Sequence, residues 1–247
     1  MAVKPPPAKS CKTTKPPAAP RRSGRRLSPA EREQHILREA ISFFAEVGFG
    51  GQTRELAERI GVTQPLLYRY FPTKQHMIDR VYQEVYLRRW DPAWEELLAD
   101  RSLGLRERLV RFYQQYTTAI FTYEWMRIYM FAGLKGAEIN QRYIKRLEER
   151  ILARICRELR AEFGYPAADG AAPTGLEREL VWMLHGGIYY YGVRKYVYEI
   201  PVESDLETLI QTSVDALLQA APAMLGRILG AARPVAAGAA GRRLRRW

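Results

Sequence analysis

Apolar residues recur three and four positions apart along most of the sequence, as in Ile36, Leu37, Ala40, Phe43 and Phe44. This spacing places them on one face of a helix, as in an amphipathic helix packed on a core. No stretch alternates apolar and polar residues as a half-buried strand does, and no internal repeat is evident. The pattern therefore predicts an all-α protein.

Capping boxes mark several helix starts, because a Ser or Thr and a Glu three residues later satisfy each other's backbone N–H groups. Such boxes begin at Ser28, Thr174 and Ser204. Asn140 is the predicted cap of a long helix that ends at Gly164. The predicted organisation is a disordered basic tail (1–26), a first helical domain (27–73), a second helical domain (74–220, with a connecting helix at 74–90) and a flexible basic C-terminal tail (221–247).

The stretch from Thr53 to Lys74 has the pattern of two short helices joined by a tight turn, with a third helix beginning at its end. Gly61 is suited to end the first helix, because glycine accepts the left-handed conformation of a helix stop. Thr63 can cap the next helix, and Pro65 falls in its first turn, where a missing N–H costs little. Apolar residues four positions apart give each helix an inward face, namely Leu56 with Ile60 and Leu67 with Phe71.

This arrangement is a helix-turn-helix, and its second helix has the right size for the major groove of DNA. Lys74 follows the predicted cap Thr73, and a cation at a helix start is unfavourable by a few tenths of a kcal/mol unless it meets a phosphate. The alternative for this residue is a solvated surface lysine. The predicted DNA-binding residues are Thr53, Arg54, Thr63, Gln64, Pro65, Tyr68, Arg69 and Lys74.

The same stretch resembles the TetR family of transcriptional regulators. The residues that carry the resemblance are Leu56-Ala57, Gly61-Val62-Thr63, Leu67-Tyr68, Tyr70-Phe71 and Lys74. Leu66 departs from the family pattern, which has a small or hydroxyl residue there. The resemblance implies a ligand cavity in the second helical domain and a dimer interface in which the last two long helices form a four-helix bundle.

The net charge of +12 lies at the two ends of the sequence. Residues 1–26 hold eight basic residues and no acidic one, and residues 242–246 hold four more basic residues. The remaining 27 basic residues equal the 27 acidic ones. Basic arms suit a polyanion such as nucleic acid or an anionic membrane, although a solubilising disordered tail has the same composition.

The chemistry of a metal site or an enzyme is missing from the sequence. Cys11 and Cys156 are too few for a disulfide framework, and His35, His76 and His185 do not share a helix turn. No nucleophile motif is present, so we expect no catalytic residue, no metal and no cofactor. A basic N-terminus without a following apolar stretch, and no apolar run near ~20 residues, predict a cytoplasmic protein that does not enter a membrane.

Aromatic residues are concentrated in the second domain. Packing in the core explains any single one of them, but buried Tyr and Trp need polar partners, and so many suggest a cavity. We expect a largely apolar small-molecule effector; Glu124 or Arg127 could match a charge on it, although a solvated surface position explains either residue equally simply. The predicted ligand-binding residues are Phe112, Tyr116, Trp125, Tyr129, Trp182, His185 and Tyr189.

Glycines within the last helices, such as Gly187, each disfavour the helix by about 1 kcal/mol against alanine, so close backbone approach or a kink must explain them. An apolar stripe follows on the last helix. The residues predicted for the interface of a homodimer are Gly187, Leu206, Leu209, Ile210 and Leu217.

These observations predict an N-terminal helix-turn-helix DNA-binding domain and a C-terminal helical bundle for ligand binding and dimerisation. The predicted function is a ligand-responsive transcriptional regulator, a repressor that binds a palindromic operator in double-stranded DNA as a homodimer. The alternative is an effector-free architectural DNA-binding protein that uses its basic arms. Such a protein needs no aromatic cavity and no sequence preference.

Overall fold

The structure is a computed structural model that describes residues 27–134, 138–165 and 171–230. Secondary structure within these ranges is helical throughout, which confirms the predicted all-α class. The predicted basic tail at 1–26 and the basic run at 242–246 lie outside the described residues. The α-helices are α1 (Pro29–Val47), α2 (Thr53–Ile60), α3 (Gln64–Tyr70), α4 (Lys74–Val85), α5 (Ala93–Ala99), α6 (Leu105–Ile120), α7 (Tyr123–Leu134), α8 (Glu138–Leu147), α9 (Ala153–Glu162), α10 (Gly175–Gly192) and α11 (Leu206–Leu229).

Caps begin and end the N-terminal helices where the sequence predicts them. The Ser28 hydroxyl accepts from the Glu31 N–H at 3.2 Å, and the Glu31 carboxylate accepts from the Ser28 N–H at 2.8 Å. Gly61 ends α2 with a φ of 74°, in the left-handed region. The Thr63 hydroxyl caps α3, which starts at the next residue. Helices α2 and α3 therefore form the predicted helix-turn-helix.

The N-terminal domain and the bundle share one continuous core. Phe44 of α1, Leu56 of α2 and Leu67 of α3 are fully buried in it. Helix α1 packs against both α4 and α7 and so joins the helix-turn-helix to the larger domain. None of the described helices is both long and apolar enough to cross a bilayer.

Several helix boundaries among the described residues differ from the sequence prediction. The connecting helix α4 ends at Val85, and a 3-10 turn at Leu87–Arg89 replaces its expected last turn. Asn140 is not a cap but lies inside α8, where its side-chain amide donates to the Tyr129 carbonyl of α7 at 2.9 Å. Asp205, not Ser204, caps α11 through the Thr208 N–H. In each case the local pattern predicts a helix, but side-chain packing or capping geometry decides its end.

Helix α11 extends past the predicted boundary at residue 220, because it continues through Pro222 to Leu229. A proline inside a helix removes one backbone hydrogen bond and normally interrupts it. Here Ala221 and Leu225 are buried on either side of the proline, and the Tyr165 hydroxyl donates to the Pro222 carbonyl at 2.5 Å. Tertiary packing therefore stabilises a turn that local propensity disfavours.

A buried ion pair joins α9 to α10. The Glu177 carboxylate accepts from Arg160 Nε at 2.5 Å and from Arg160 Nη2 at 2.6 Å, and both side chains are buried. Glu177 also accepts from the Thr174 N–H, which completes the predicted capping box of α10. Burial alone would raise the pKa of Glu177, but the hydrogen bonds from Arg160 and Thr174 outweigh it and hold that pKa below its usual value.

Candidate nucleic-acid interface and ligand cavity

A small polar cluster joins the start of α2 to the outer face of α3. Gln64 Nε2 donates to Thr53 Oγ1 at 3.1 Å, and the same hydroxyl is 2.9 Å from the Tyr68 hydroxyl. Thr53 is only 7% exposed, and its hydroxyl already has two hydrogen-bond partners. It is therefore not available as the direct DNA contact predicted for it. Gln64 and Tyr68 are half-buried and remain accessible beside it. The cluster therefore holds two candidate contact residues in a fixed relation.

The other predicted DNA-binding residues surround this cluster. Thr63, Pro65 and Arg69 are exposed on α3. Arg54 is exposed on α2 and pairs with Glu58 at 3.0 Å. Lys74 is the first residue of α4 after its cap Thr73, as predicted, and it forms no ion pair with any described residue. These side chains thus remain accessible on α2, around α3 and at the start of α4.

Arg127 lies where α7 meets the end of α1, and it does not have the predicted role of matching a charge on the ligand. Its guanidinium donates to the Ala45 carbonyl at 2.7 Å and to the Glu46 carbonyl at 3.4 Å. The Glu46 carboxylate in turn pairs with Arg59 of α2 at 2.6 Å. Neither Glu124 nor Arg127 lines the cavity described next, so neither is placed to match a charge there. Arg127 instead ties the bundle to the DNA-binding domain.

The bundle contains a cavity of about 130 Å³, called here the aromatic cavity. Six of the predicted ligand-binding residues line it, namely Tyr116 of α6, Trp125 and Tyr129 of α7, and Trp182, His185 and Tyr189 of α10. Helix α8 adds Tyr143, Ile144 and Leu147, which the sequence analysis did not single out. Ile144 and Leu147 had the helical spacing of core residues, and no sequence signal separated them from ordinary core positions.

Phe112 does not line the aromatic cavity, contrary to the prediction. It is fully buried and stacks on the far side of Tyr116, with ring centroids 5.4 Å apart. It also contacts Trp94 of α5 edge to face, and the short helix α5 was not predicted. Phe112 therefore supports the cavity wall from behind.

Two buried polar atoms of residues that line the cavity have no partner among the described residues, Trp125 Nε1 and His185 Nδ1. By contrast, the Tyr116 and Tyr143 hydroxyls are 2.9 Å apart, so one of them donates a hydrogen bond to the other. Trp182 Nε1 donates to Glu148 at 3.2 Å. Most buried polar groups in proteins are paired, so each of these two atoms could still take a hydrogen-bond partner.

Burial lowers the pKa of His185 to about 4, and we expect this to make the fold acid-sensitive. The unfolded chain, with a histidine pKa of about 6.5, binds the proton more readily than the folded chain. Stability is therefore complete above pH ~6.5 and falls as the pH drops, by about 2–3 kcal/mol at pH ~4.5. Urea denaturation of wild type and His185→Leu across this range measures the difference. Parallel pH curves for the two proteins would contradict the assignment.

An open apolar groove of about 280 Å³ runs between α10 and α11. Its lining includes Leu180, Met183, Gly187, Ala220 and Met224, which fall on facing sides of the two helices. Met183 is 69% exposed although it is apolar. Of this set, the sequence analysis named Gly187 alone. The helical spacing of Leu180, Met183 and Gly187 was the signal that could have revealed the rest.

Two residues predicted for the dimer interface face the interior of their own protomer. Ile210 and Leu217 are buried within the protomer, where α11 packs on α6 and α10. Leu217 reaches the floor of the groove. Leu206 and Leu209 are half-buried, and Gly187 is exposed. The apolar stripe of α11 is therefore mainly an intramolecular face, and smaller residues beside it line the open groove.

A helix-turn-helix near the N-terminal end of the described, all-helical residues is the motif of helix-turn-helix DNA-binding proteins. Residues 36–81 match the family model described as bacterial regulatory proteins, tetR family. The resemblance of the N-terminal region to the TetR family is therefore confirmed over these residues.

Similar characterised proteins match over the N-terminal part. The tetracycline repressor protein class A from transposon 1721 of Escherichia coli is 32% identical over 85 residues, which is 31% of this chain and 39% of that repressor. The HTH-type transcriptional regulator LuxR of Vibrio harveyi is 36% identical over 61 residues, or 24% of this chain and 30% of LuxR. The matches thus span less than half the length of these relatives.

Solved structures extend the likeness to the bundle. A TetR-like transcriptional regulator from Rhodococcus sp. RHA1 aligns with a TM-score of 0.56 and 20% identity, over 83% of this chain and all of that one. Mycobacterium smegmatis AmtR aligns with a TM-score of 0.51 and 18% identity, over 87% of this chain and all of AmtR. At this identity the likeness establishes the shared two-domain helical fold.

Proposed function

We propose that the protein is a ligand-responsive transcriptional regulator, a cytoplasmic repressor that binds a palindromic operator as a homodimer. A small, largely apolar effector bound in the aromatic cavity would release the DNA. The observation that carries the proposal is the cluster of Thr53, Gln64 and Tyr68 on the helix-turn-helix.

Gln64 is suited to read the edge of an adenine. Its amide uses one hydrogen on Thr53 at 3.1 Å, which leaves one N–H donor and the carbonyl oxygen free. Adenine presents an acceptor and a donor side by side in the major groove, and this pair matches the remaining groups. Thr53 then acts as a positioning residue, because its hydroxyl sets which end of the amide faces which base atom.

Phosphates would be held by the residues around the cluster. Lys74 stands at the N-terminus of α4, and helix α2 begins without a side-chain cap, so both starts offer free backbone N–H groups to an anion. Tyr68 and the exposed Arg69 flank them. Such contacts position the protein on the duplex, whereas Gln64 supplies sequence preference.

A homodimer would place two such surfaces on successive major grooves, about 34–36 Å apart. The exposed apolar groove between α10 and α11 supports this arrangement, because a monomer would leave Met183 and its neighbours in water. The aromatic cavity supports a regulator with an effector over the architectural alternative, which needs no cavity. Repression, rather than activation, rests on the tetracycline repressors among the relatives.

Replacing Thr53 by valine is expected to relax sequence preference at one base pair of each half-site by up to about 1–3 kcal/mol, since the Gln64 amide loses its anchor. Sites are first selected from random DNA with the wild type. The affinity of each variant is then measured for the selected operator and for single base-pair changes of it. Gln64→Ala should lose preference at the same base pair.

Thr53→Ser is the matched control, because it keeps the hydroxyl and should keep the preference. Lys74→Ala should instead weaken binding to all DNA sequences alike. It should also reduce the slope of log affinity against log salt concentration by about one unit. If the wild type selects no sequence, the proposed function fails. If Thr53→Val keeps the wild-type preference, only the positioning role of Thr53 fails.

A further inference from the structure

The aromatic cavity has room for one ring. Its volume is about 130 Å³, whereas pockets for drug-sized ligands hold about 300–1,000 Å³. An engineered cavity of about 150 Å³ in another protein binds benzene. An occupant of the aromatic cavity is therefore a single ring with at most a small substituent.

The unpartnered atoms define the substituent. Trp125 Nε1 can only donate a hydrogen bond, and His185 Nδ1 either donates or accepts. A hydroxyl group both donates and accepts, so it can partner either atom. One of the Tyr116 and Tyr143 hydroxyls donates to the other, and the accepting hydroxyl keeps an O–H that a hydroxyl oxygen can also accept. One hydroxyl on the ring is thus the simplest group that suits the wall.

The wall favours an uncharged occupant. No lining residue carries a charged side chain, and His185 is neutral near pH 7 because burial lowers its pKa to about 4. A charge brought into the cavity would lose its hydration without gaining a counter-ion. Aromatic faces do attract organic cations, but a cation offers no acceptor to the indole N–H of Trp125.

The cavity opens beside Gly186. Trp182, Gly186 and Tyr189 lie on one face of α10, and all three line the cavity. Gly186 is exposed, and a Cβ added there would meet no heavy atom within 4 Å apart from its chain neighbours and the backbone of its own helix. A side chain at this position would therefore extend over the opening without a clash at its Cβ.

We propose that the aromatic cavity binds a monocyclic phenol, an uncharged single ring with one hydroxyl, which enters beside Gly186. The proposal names the effector class of the regulator proposed above and rests on that function for its biological role. The chemical basis is the conjunction of single-ring volume, an aromatic uncharged wall, and two buried polar atoms without partners.

Phenol itself is the probe, titrated into the full-length protein without DNA and followed by calorimetry and tryptophan fluorescence. We expect saturable binding of one phenol per protomer. Cyclohexanol, of similar size but without a π-system, should bind roughly tenfold more weakly. Benzoate and benzyltrimethylammonium should bind more weakly still. Absence of saturable phenol binding, or tighter binding of either ion, would overturn the proposal.

Variants at Gly186 test the location. Gly186→Ala should keep the phenol affinity of the wild type and raise the melting temperature, since alanine favours a helix. Gly186→Leu should fold and lose at least about tenfold in phenol affinity, because its side chain covers the opening. Ile144→Phe, which fills the cavity from α8, should give the same loss. Unchanged phenol affinity in both Gly186→Leu and Ile144→Phe would show that phenol binds elsewhere.

Operator binding is measured separately, so that the two proposals can fail independently. If phenol binds in the cavity but leaves operator affinity unchanged, the effector role in the proposed function fails and the ligand class stands. If an operator is selected but phenol does not bind, the ligand class fails and the reading of DNA by α3 stands.

Discussion

Replacing Glu177 with alanine is expected to lower the free energy of unfolding by about 3–5 kcal/mol. The side chains of Glu177 and Arg160 are only 1% and 4% exposed, so removal of the carboxylate takes away two buried, charged hydrogen bonds. The change also removes half of the capping box of α10. Urea denaturation followed by circular dichroism at pH 7 measures the loss.

Glu149→Ala is the matched control, since its pair with Lys145 is exposed and spans 3.9 Å. We expect it to change stability by less than about 1 kcal/mol. Replacing both buried partners, as Arg160→Met with Glu177→Leu, should recover most of the loss, because no buried charge remains. Equal losses for Glu177→Ala and Glu149→Ala would mean that water reaches the pair in solution.

Met183→Glu is expected to convert the proposed dimer into monomers and to weaken specific operator binding by about 10²–10⁴-fold. A carboxylate in the groove between α10 and α11 would have to be desolvated against the partner, and a monomer loses the advantage of two linked half-sites. Sedimentation velocity at micromolar concentration and binding to the selected operator measure the two effects.

Met183→Leu keeps the surface apolar and should remain dimeric. Because Met183 is exposed in the protomer, neither variant should lower its stability, whereas a charge at the buried Leu217 would unfold the chain. A wild type that sediments as a monomer, or a dimeric Met183→Glu variant, would remove the half-site argument.

The helix-turn-helix was predictable because its signals are local. Gly61 and Thr63 end and begin helices through their own backbone and hydroxyl geometry. The residues of the dimer interface were not predictable from the sequence. Periodicity shows that one face of α11 is apolar, but it does not show which element covers that face. Ile210 and Leu217 face their own protomer, and a partner chain would produce the same spacing in the sequence.

The positioning role of Thr53 could be recognised only from the three-dimensional structure. Its hydroxyl meets Gln64 and Tyr68, which are 11 and 15 residues away along the chain, and only the angle between α2 and α3 brings them together. Pro222 is the opposite case, in which a reliable local stop signal is overridden by the burial of Ala221 and Leu225. Phe112 has the helical spacing of a residue that lines the cavity. Spacing shows which face of a helix a residue lies on, but not how deep in the core its side chain is buried.

The link between the two domains has an evolutionary consequence. Arg127 holds the end of α1 through the carbonyl oxygens of Ala45 and Glu46, and every amino acid supplies a carbonyl oxygen. A substitution at position 45 or 46 therefore does not by itself remove these hydrogen bonds, although Ala45 is fully buried and Glu46 pairs with Arg59, whereas a change at position 127 removes them. Besides their shared core, the N-terminal domain and the bundle are thus linked by hydrogen bonds that depend on the side chain at position 127 alone.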